Sequence, residues 1–113
     1  MSLEFYDRHG QPCLYTEDDE ILYSWDGFAI AYLYGEHVYL FNGEHFGWLK
    51  KGWMVDDQGY RVYFSQKAVG GPLMPTRHAK PYKEPKHPRP AKLNRAFAPP
   101  EPLVKDAWAD YAS

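Results

Sequence analysis

Apolar and aromatic residues recur in step with glycine along the first seventy residues. Gly10, Gly27, Gly43 and Gly59 are spaced 17, 16 and 16 residues apart, within "FYDRHGQPCLY", "LYSWDGFAIAY", "VYLFNGEHFGW" and "MVDDQGYRVYF". Five residues before each glycine stand Phe5, Leu22, Val38 and Met54. Three after stand Cys13, Ile30, Phe46 and Val62, and five after stand Tyr15, Tyr32, Trp48 and Phe64. Every one of these columns is apolar or aromatic. Each unit therefore reads as a strand, a glycine turn and a returning strand.

Glycine is expected in such turns because one residue must take φ > 0, where a Cβ would clash. Two turn chemistries compete. A two-residue turn at His9-Gly10, Asp26-Gly27, Asn42-Gly43 and Gln58-Gly59 would be type I′. A type I turn with a bulged glycine reads Asp-x-x-Gly, as in "DRHG" and "DDQG". The bulged form is preferred because it puts the columns five before and three after each glycine on one face. The units are joined by "TEDDE", "LYGEH" and "LKKGW", which are short and turn-like. The expected fold is all-β: about eight short strands in four repeated hairpins around a pseudo-fourfold axis. A lone hairpin is marginal in water, so the four must pool their aromatic faces.

The run "EFYDRHGQP", then "AIAYLYGEHVYLFNGEHFGWLKKGWMVDDQGYRVYF" and "GGP", resembles the bacterial four-fold beta-flower family over about residues 3–72. The basic Pro-rich tail fits that family's layout too. The resemblance implies a small domain of four hairpin petals and implies no activity.

Charge and composition divide the chain near residue 71. Residues 1–71 hold 5 Lys/Arg against 11 Asp/Glu, and residues 72–113 hold 8 against 4. All nine glycines lie in residues 1–71, and nine of ten prolines lie in residues 72–113. The chain divides into a hairpin domain (1–71), an extended polyproline-II-like basic tail (72–102) and an aromatic anchor (103–113). In the tail, Arg77, Lys80, Lys83, Lys86, Arg89, Lys92 and Arg95 recur every third residue. Polyproline II has three residues per turn, so these cations would line one edge. Val104, Ala107, Trp108, Tyr111 and Ala112 share helical spacing after Pro102, which predicts a short terminal helix presenting Trp108 and Tyr111.

Candidate chemistry is sparse. Glu36-His37 and Glu44-His45 repeat a pair eight residues apart. In the bulged register His37 faces Gly47 and His45 faces Tyr39, diagonal on one face and ~7–8 Å apart at Cβ. No third metal ligand is evident, and a structural zinc site wants four. Strand or turn histidines are the expected reading. Cys13 sits in an apolar column and reads as a small core residue. The acidic run Glu17–Glu20 lacks calcium-loop spacing and reads as a solvated turn. Asp56 is expected to bond its own turn backbone. Trp25, Phe28, Phe41, Trp53 and Tyr60 lie in or beside the turns. With His45 they are the candidate rim contacts to a sugar or peptide, or else they pack on a neighbouring petal or under the tail.

These features lead to expectations about function. No nucleophile–base pair or metal set points to an enzyme, and no cofactor is expected. The basic tail and Trp108/Tyr111 are expected to dock on the acidic domain, in cis or from a second copy, which would give a homodimer. The second reading is a small ligand-binding domain whose rim aromatics hold a glycan or peptide, and a further protein partner is also open. Nucleic acid ranks lower, since the cationic run from Arg77 to Arg95 offers only Tyr82 for stacking. Nothing resembles a signal peptide or a ~20-residue apolar span, and the single cysteine allows no internal disulfide; a cytoplasmic protein is expected.

Overall fold

The computed structural model describes residues 2–110. Eight antiparallel strands run in sequence order and close into a barrel. They are β1 (Leu3–Tyr6), β2 (Pro12–Thr16), β3 (Ile21–Tyr23), β4 (Ala29–Tyr34), β5 (His37–Leu40), β6 (His45–Lys50), β7 (Trp53–Asp56) and β8 (Arg61–Ser65). Each consecutive pair beginning with β1–β2 is one petal. The ring closes where β1 meets β8, with Phe5 opposite Ser65 and Tyr6 opposite Phe64.

The petal turns take the type I form. Each glycine N–H donates to the carbonyl three residues back, at 2.9 Å for Gly10 to Asp7 and 3.0 Å for Gly27 to Ser24, Gly43 to Leu40 and Gly59 to Asp56. The four glycines have φ between 81° and 96°, whereas the residues before them do not have positive φ. A type I′ turn would need positive φ at both positions. In petals one and four an aspartate stabilises the turn: Asp7 Oδ1 accepts from the N–H of His9 and Gln11, and Asp56 Oδ1 from that of Gln58 and Tyr60.

Each petal also carries a second bulge that the hydrophobic pattern alone conceals. Phe5 pairs with Leu14 but Tyr6 pairs with Pro12, which leaves Cys13 unpaired. The same jump falls at Ile30, Phe46 and Val62. The column five before the glycine therefore faces the column four after it, one place beyond the expected partner. His45 lies opposite Tyr39 as expected, while His37 lies opposite Trp48 and not Gly47. An added residue bends a strand and increases its twist, and eight strands of three to six residues need that curvature to close.

The two faces of the strands bury different groups. Phe5, Leu14, Leu22, Ala31, Val38 and Met54 come from six strands and pack together, with Phe46, Leu49 and Tyr63 against them. This is the barrel interior. The alternate residues form two aromatic clusters outside it. Tyr15, Tyr23, Trp25, Tyr32, Tyr39 and Phe41 come from petals one to three, and Tyr6, Trp48, Trp53, Val55 and Phe64 from petals one, three and four. Burial of outward aromatics requires a cover, and the tail supplies it.

Residues 72–110 form no helix, and their one ladder contact is the parallel bridge of Trp108 to Arg61. The short terminal helix is thus corrected within the described residues. The Arg61 N–H donates to Ala107 O, and the Ala109 N–H donates to Arg61 O. Backbone groups committed to β8 cannot close a helical turn, and a helix this short has no stability of its own. Tyr111 lies outside the described residues. Among the described residues no helix is long and apolar enough to cross a membrane.

Candidate functional site

The tail and the four petals meet along a continuous seam. The tail runs past the petal turns in order, as a belt. N–H groups of His78, His87, Ala96 and Lys105 donate to the carbonyls of Gly10, Gly27, Gly43 and Gly59, at 2.8 to 2.9 Å. The belt therefore advances nine residues for each petal of 16 or 17. A quarter of a circle 36 Å across is about 28 Å, and nine residues at the ~3.1 Å rise of polyproline II cover the same arc.

The turn glycines serve the belt as well as the turn. A Cβ on Gly10, Gly27, Gly43 or Gly59 would stand 2.1 to 2.2 Å from the carbonyl oxygen of Thr76, Pro85, Asn94 or Leu103. Those belt residues are again nine apart. A further pair of bonds follows the same period: Glu84 N–H to Trp25 O and Leu93 N–H to Phe41 O. One repeat before and after stand Pro75 and Pro102, which have no N–H to give.

The period-three cations are sorted by this nine-residue period. Lys83 and Lys92, one repeat apart, lie over Tyr15 and Tyr32 at 4.4 and 4.5 Å from the ring centroids. Arg77, Lys86 and Arg95, also one repeat apart, lie over Tyr6, Tyr23 and Tyr34 at 5.6, 5.0 and 3.7 Å. Carboxylates complete the contacts. Glu17 pairs with Lys83 at 3.1 Å and Lys86 at 2.5 Å, Glu20 with Lys92 at 2.5 Å, and Glu4 with Lys80 at 3.7 Å. Hydrogen bonds from Lys86 and then Lys83 hold the Glu17 carboxyl below the usual range. In the third petal the polarity reverses. Glu101 takes the place of Lys83 and Lys92, and it pairs at 3.1 Å with Lys50, which lies over Trp48. Arg89 occupies the same repeat position as Lys80, nine residues on.

The belt ends on the fourth petal. Trp108 packs edge-on to Trp53 and Phe64, at 5.3 and 6.1 Å between centroids. The buried Arg61 guanidinium lies over Trp53 at 4.8 Å and donates to Lys105 O and Asp106. The sequence reading missed Arg61. Its column otherwise holds Pro12, Ala29 and His45, and that irregularity was the available signal.

The candidate rim aromatics are largely closed off. Trp53 has no exposed surface, and Trp25 and Phe41 are buried in the outer cluster. Belt and neighbouring petals cover all three, which leaves them no open face for a sugar or peptide. Phe28 and Tyr60 remain 47% and 36% exposed, the first stacked on His87 at 4.1 Å and the second under Lys105. Cys13 is half-buried, and its apolar column is uneven, since Ile30 is 42% exposed. Burial, then the charge of Asp7, raises the thiol to about 11, so it stays protonated at neutral pH.

The histidines meet more closely than the diagonal strand positions suggest. His37 Nδ1 lies 3.0 Å from His45 Nε2, and His45 Nδ1 lies 2.7 Å from Asp57 Oδ1. The two rings sit against Tyr39 and Trp48. Asp57 comes from the next petal, which a reading of single hairpins could not connect. Among the described residues no group of three His, Cys, Asp or Glu side chains converges as metal ligands.

Four hairpin petals, closed as a ring, are the defining feature of this protein class. The chain matches the 4-fold beta flower protein family over residues 3–113 and belongs to it. The match takes in the tail, and the family's description names a shape and no reaction. Nothing among the curated proteins or the solved structures matches the chain.

Proposed function

We propose that the protein is a non-enzymatic structural and interaction module whose tail is its own first ligand. The carrying observation is the nine-residue register in which the belt meets all four turn glycines. The outer face of each petal presents a carbonyl, an aromatic ring and, in the first two petals, an acidic rim. An extended, cationic, proline-rich segment satisfies all three. The cations that would otherwise face phosphates lie instead over tyrosines and beside glutamates, which favours self-docking over nucleic acid. The same seat accepts the tail of a second copy if Gly70 and Gly71, both at positive φ, let the belt swing outward.

The test is sedimentation of the full chain beside a chain ending at residue 71, with thermal melting of both. The proposal expects the truncated chain to lose stability, to expose its outer aromatics to a hydrophobic dye, and to bind the added 72–113 peptide. A truncated chain that melts with the full one and ignores the peptide defeats it.

A further inference from the structure

The joint between petals three and four differs from its counterparts. It is built from three columns: six before, two after and two before the turn glycine. Between petals one and two the latter pair holds Pro12 and Trp25, and between petals two and three it holds Ala29 and Phe41. Neither pair carries a titratable group. Between petals three and four the same columns hold His45 and Asp57, and His37 stands beside them in the first. At the ring-closing joint the same two columns hold Arg61 and Arg8, so a carboxylate facing a histidine across them is particular to the third joint.

The chemistry of that chain is specific. Asp57, accepting at 2.7 Å, fixes the proton of His45 on Nδ1. The His45 Nε2 lone pair is thereby directed at His37, whose Nδ1 lies 3.0 Å away. A carboxylate behind a histidine, with the other ring nitrogen presented forward, is the outer-shell arrangement that orients histidine ligands and strengthens them toward a metal. The separation also fits. Two imidazole nitrogens each ~2.1 Å from one ion stand about 3.0 Å apart at a 90° angle and about 3.4 Å apart at a tetrahedral one. The observed 3.0 Å matches adjacent corners of a square or octahedron. Nitrogen ligands in that geometry suit Cu²⁺ and Ni²⁺.

We infer that His37 Nδ1 and His45 Nε2 form a two-imidazole site for a divalent transition ion of the Cu²⁺ or Ni²⁺ class, with Asp57 as its orienting carboxylate. Binding exchanges the histidine–histidine hydrogen bond for two metal–nitrogen bonds and moves the His37 proton to Nε2. Water occupies the remaining positions, since no third His, Cys, Asp or Glu joins the pair among the described residues. The His45 side chain is 3% exposed and Asp57 closes its far ring nitrogen, so an ion reaches the pair from the half-buried His37.

The test is titration of the full chain with Cu²⁺ alone, read by electron paramagnetic resonance. Expected is saturation at one equivalent, with hyperfine coupling to two imidazole nitrogens and quenching of Trp48, whose ring centroid is 4.4 Å from that of His37. His45→Gln should abolish the signal, as should His37→Gln, with circular dichroism confirming that each variant is folded. Asp57→Asn should weaken binding about 10–100-fold with circular dichroism unchanged. His9→Gln and His87→Gln should leave it intact. The inference is overturned if the full chain takes up no stoichiometric Cu²⁺. It is equally overturned if folded His37→Gln binds as the native chain does, or if binding follows His9 or His87.

Discussion

The barrel and the belt follow the same fourfold plan and are held by different forces. Within the barrel each petal meets its neighbours through strand ladders and an apolar interior, so removing one contact strains many others. The belt touches each petal through one to three backbone hydrogen bonds and a few cations over rings. Exposed ion pairs contribute about 0–1 kcal/mol each, and cation–π contacts at exposed sites about 0.5–1. The barrel should therefore unfold as a unit, and the belt should open locally at much lower cost. Their meeting points are the four turn glycines, where a barrel requirement and a belt requirement fall on one residue.

Substituting the interior gives the largest effect. Phe5→Ala, at a fully buried position, should destabilise by about 3–5 kcal/mol. In a urea titration, barrel and belt probes should lose signal together. A belt that stays docked while the barrel signal is lost would show that the cover does not depend on the ring.

A turn glycine separates the two regions. Gly43→Ala meets both positive φ and the carbonyl of Asn94, whereas Gly35→Ala meets positive φ with nothing within 4 Å. Each should cost about 1–2 kcal/mol for the turn alone. Only Gly43→Ala should also release hydrogen-exchange protection at Ala96 while β5 and β6 stay protected. Equal behaviour of the two variants would remove the belt seat from the account of these glycines.

Smaller again is the loss of a single cation. Lys92→Met should cost about 0.5–1 kcal/mol and increase exchange at Leu93, with no change in the interior. A shift in interior exchange would mean that the region under the belt is not independent of it.

The smallest effect is acid-dependent. The Glu17 carboxyl is held low by Lys86 and Lys83, so its contribution is fully present above the ordinary glutamate value, about 4.3. It is lost as pH falls through the lower, docked value. Because the group is largely solvated, the loss should be under about 1 kcal/mol. Exchange at Glu84 and His87 should rise in that acidic window, and Glu17→Gln should flatten the profile at its high-exchange level.

Several parts of this design are legible in the amino-acid sequence. The glycine period identified the petals, and Asp-x-x-Gly identified the turn type, because turn chemistry is local and demands particular residues. The second bulge was hidden because the residues three and four after each glycine are both mostly apolar, and side-chain character alone cannot tell which one is paired. The belt's nine-residue period was masked by the three-residue period of its charges. Its repeating contacts are made by backbone N–H and C=O groups, which every residue except proline possesses. Thr76, Pro85, Asn94 and Leu103 occupy one structural position with four different side chains.

The amino-acid sequence by itself thus determined the four petals, their turns, the aromatic columns and the contrast between an acidic ring and a basic tail. All of these follow from patterns within about 20 residues. Only the tertiary structure decided that the tail circles the ring in register, that Trp108 closes on Trp53, and that Asp57 of one petal orients His45 of another. Those contacts join residues 12 to 76 apart in the chain, and loop closure leaves no local signature in the residues it brings together.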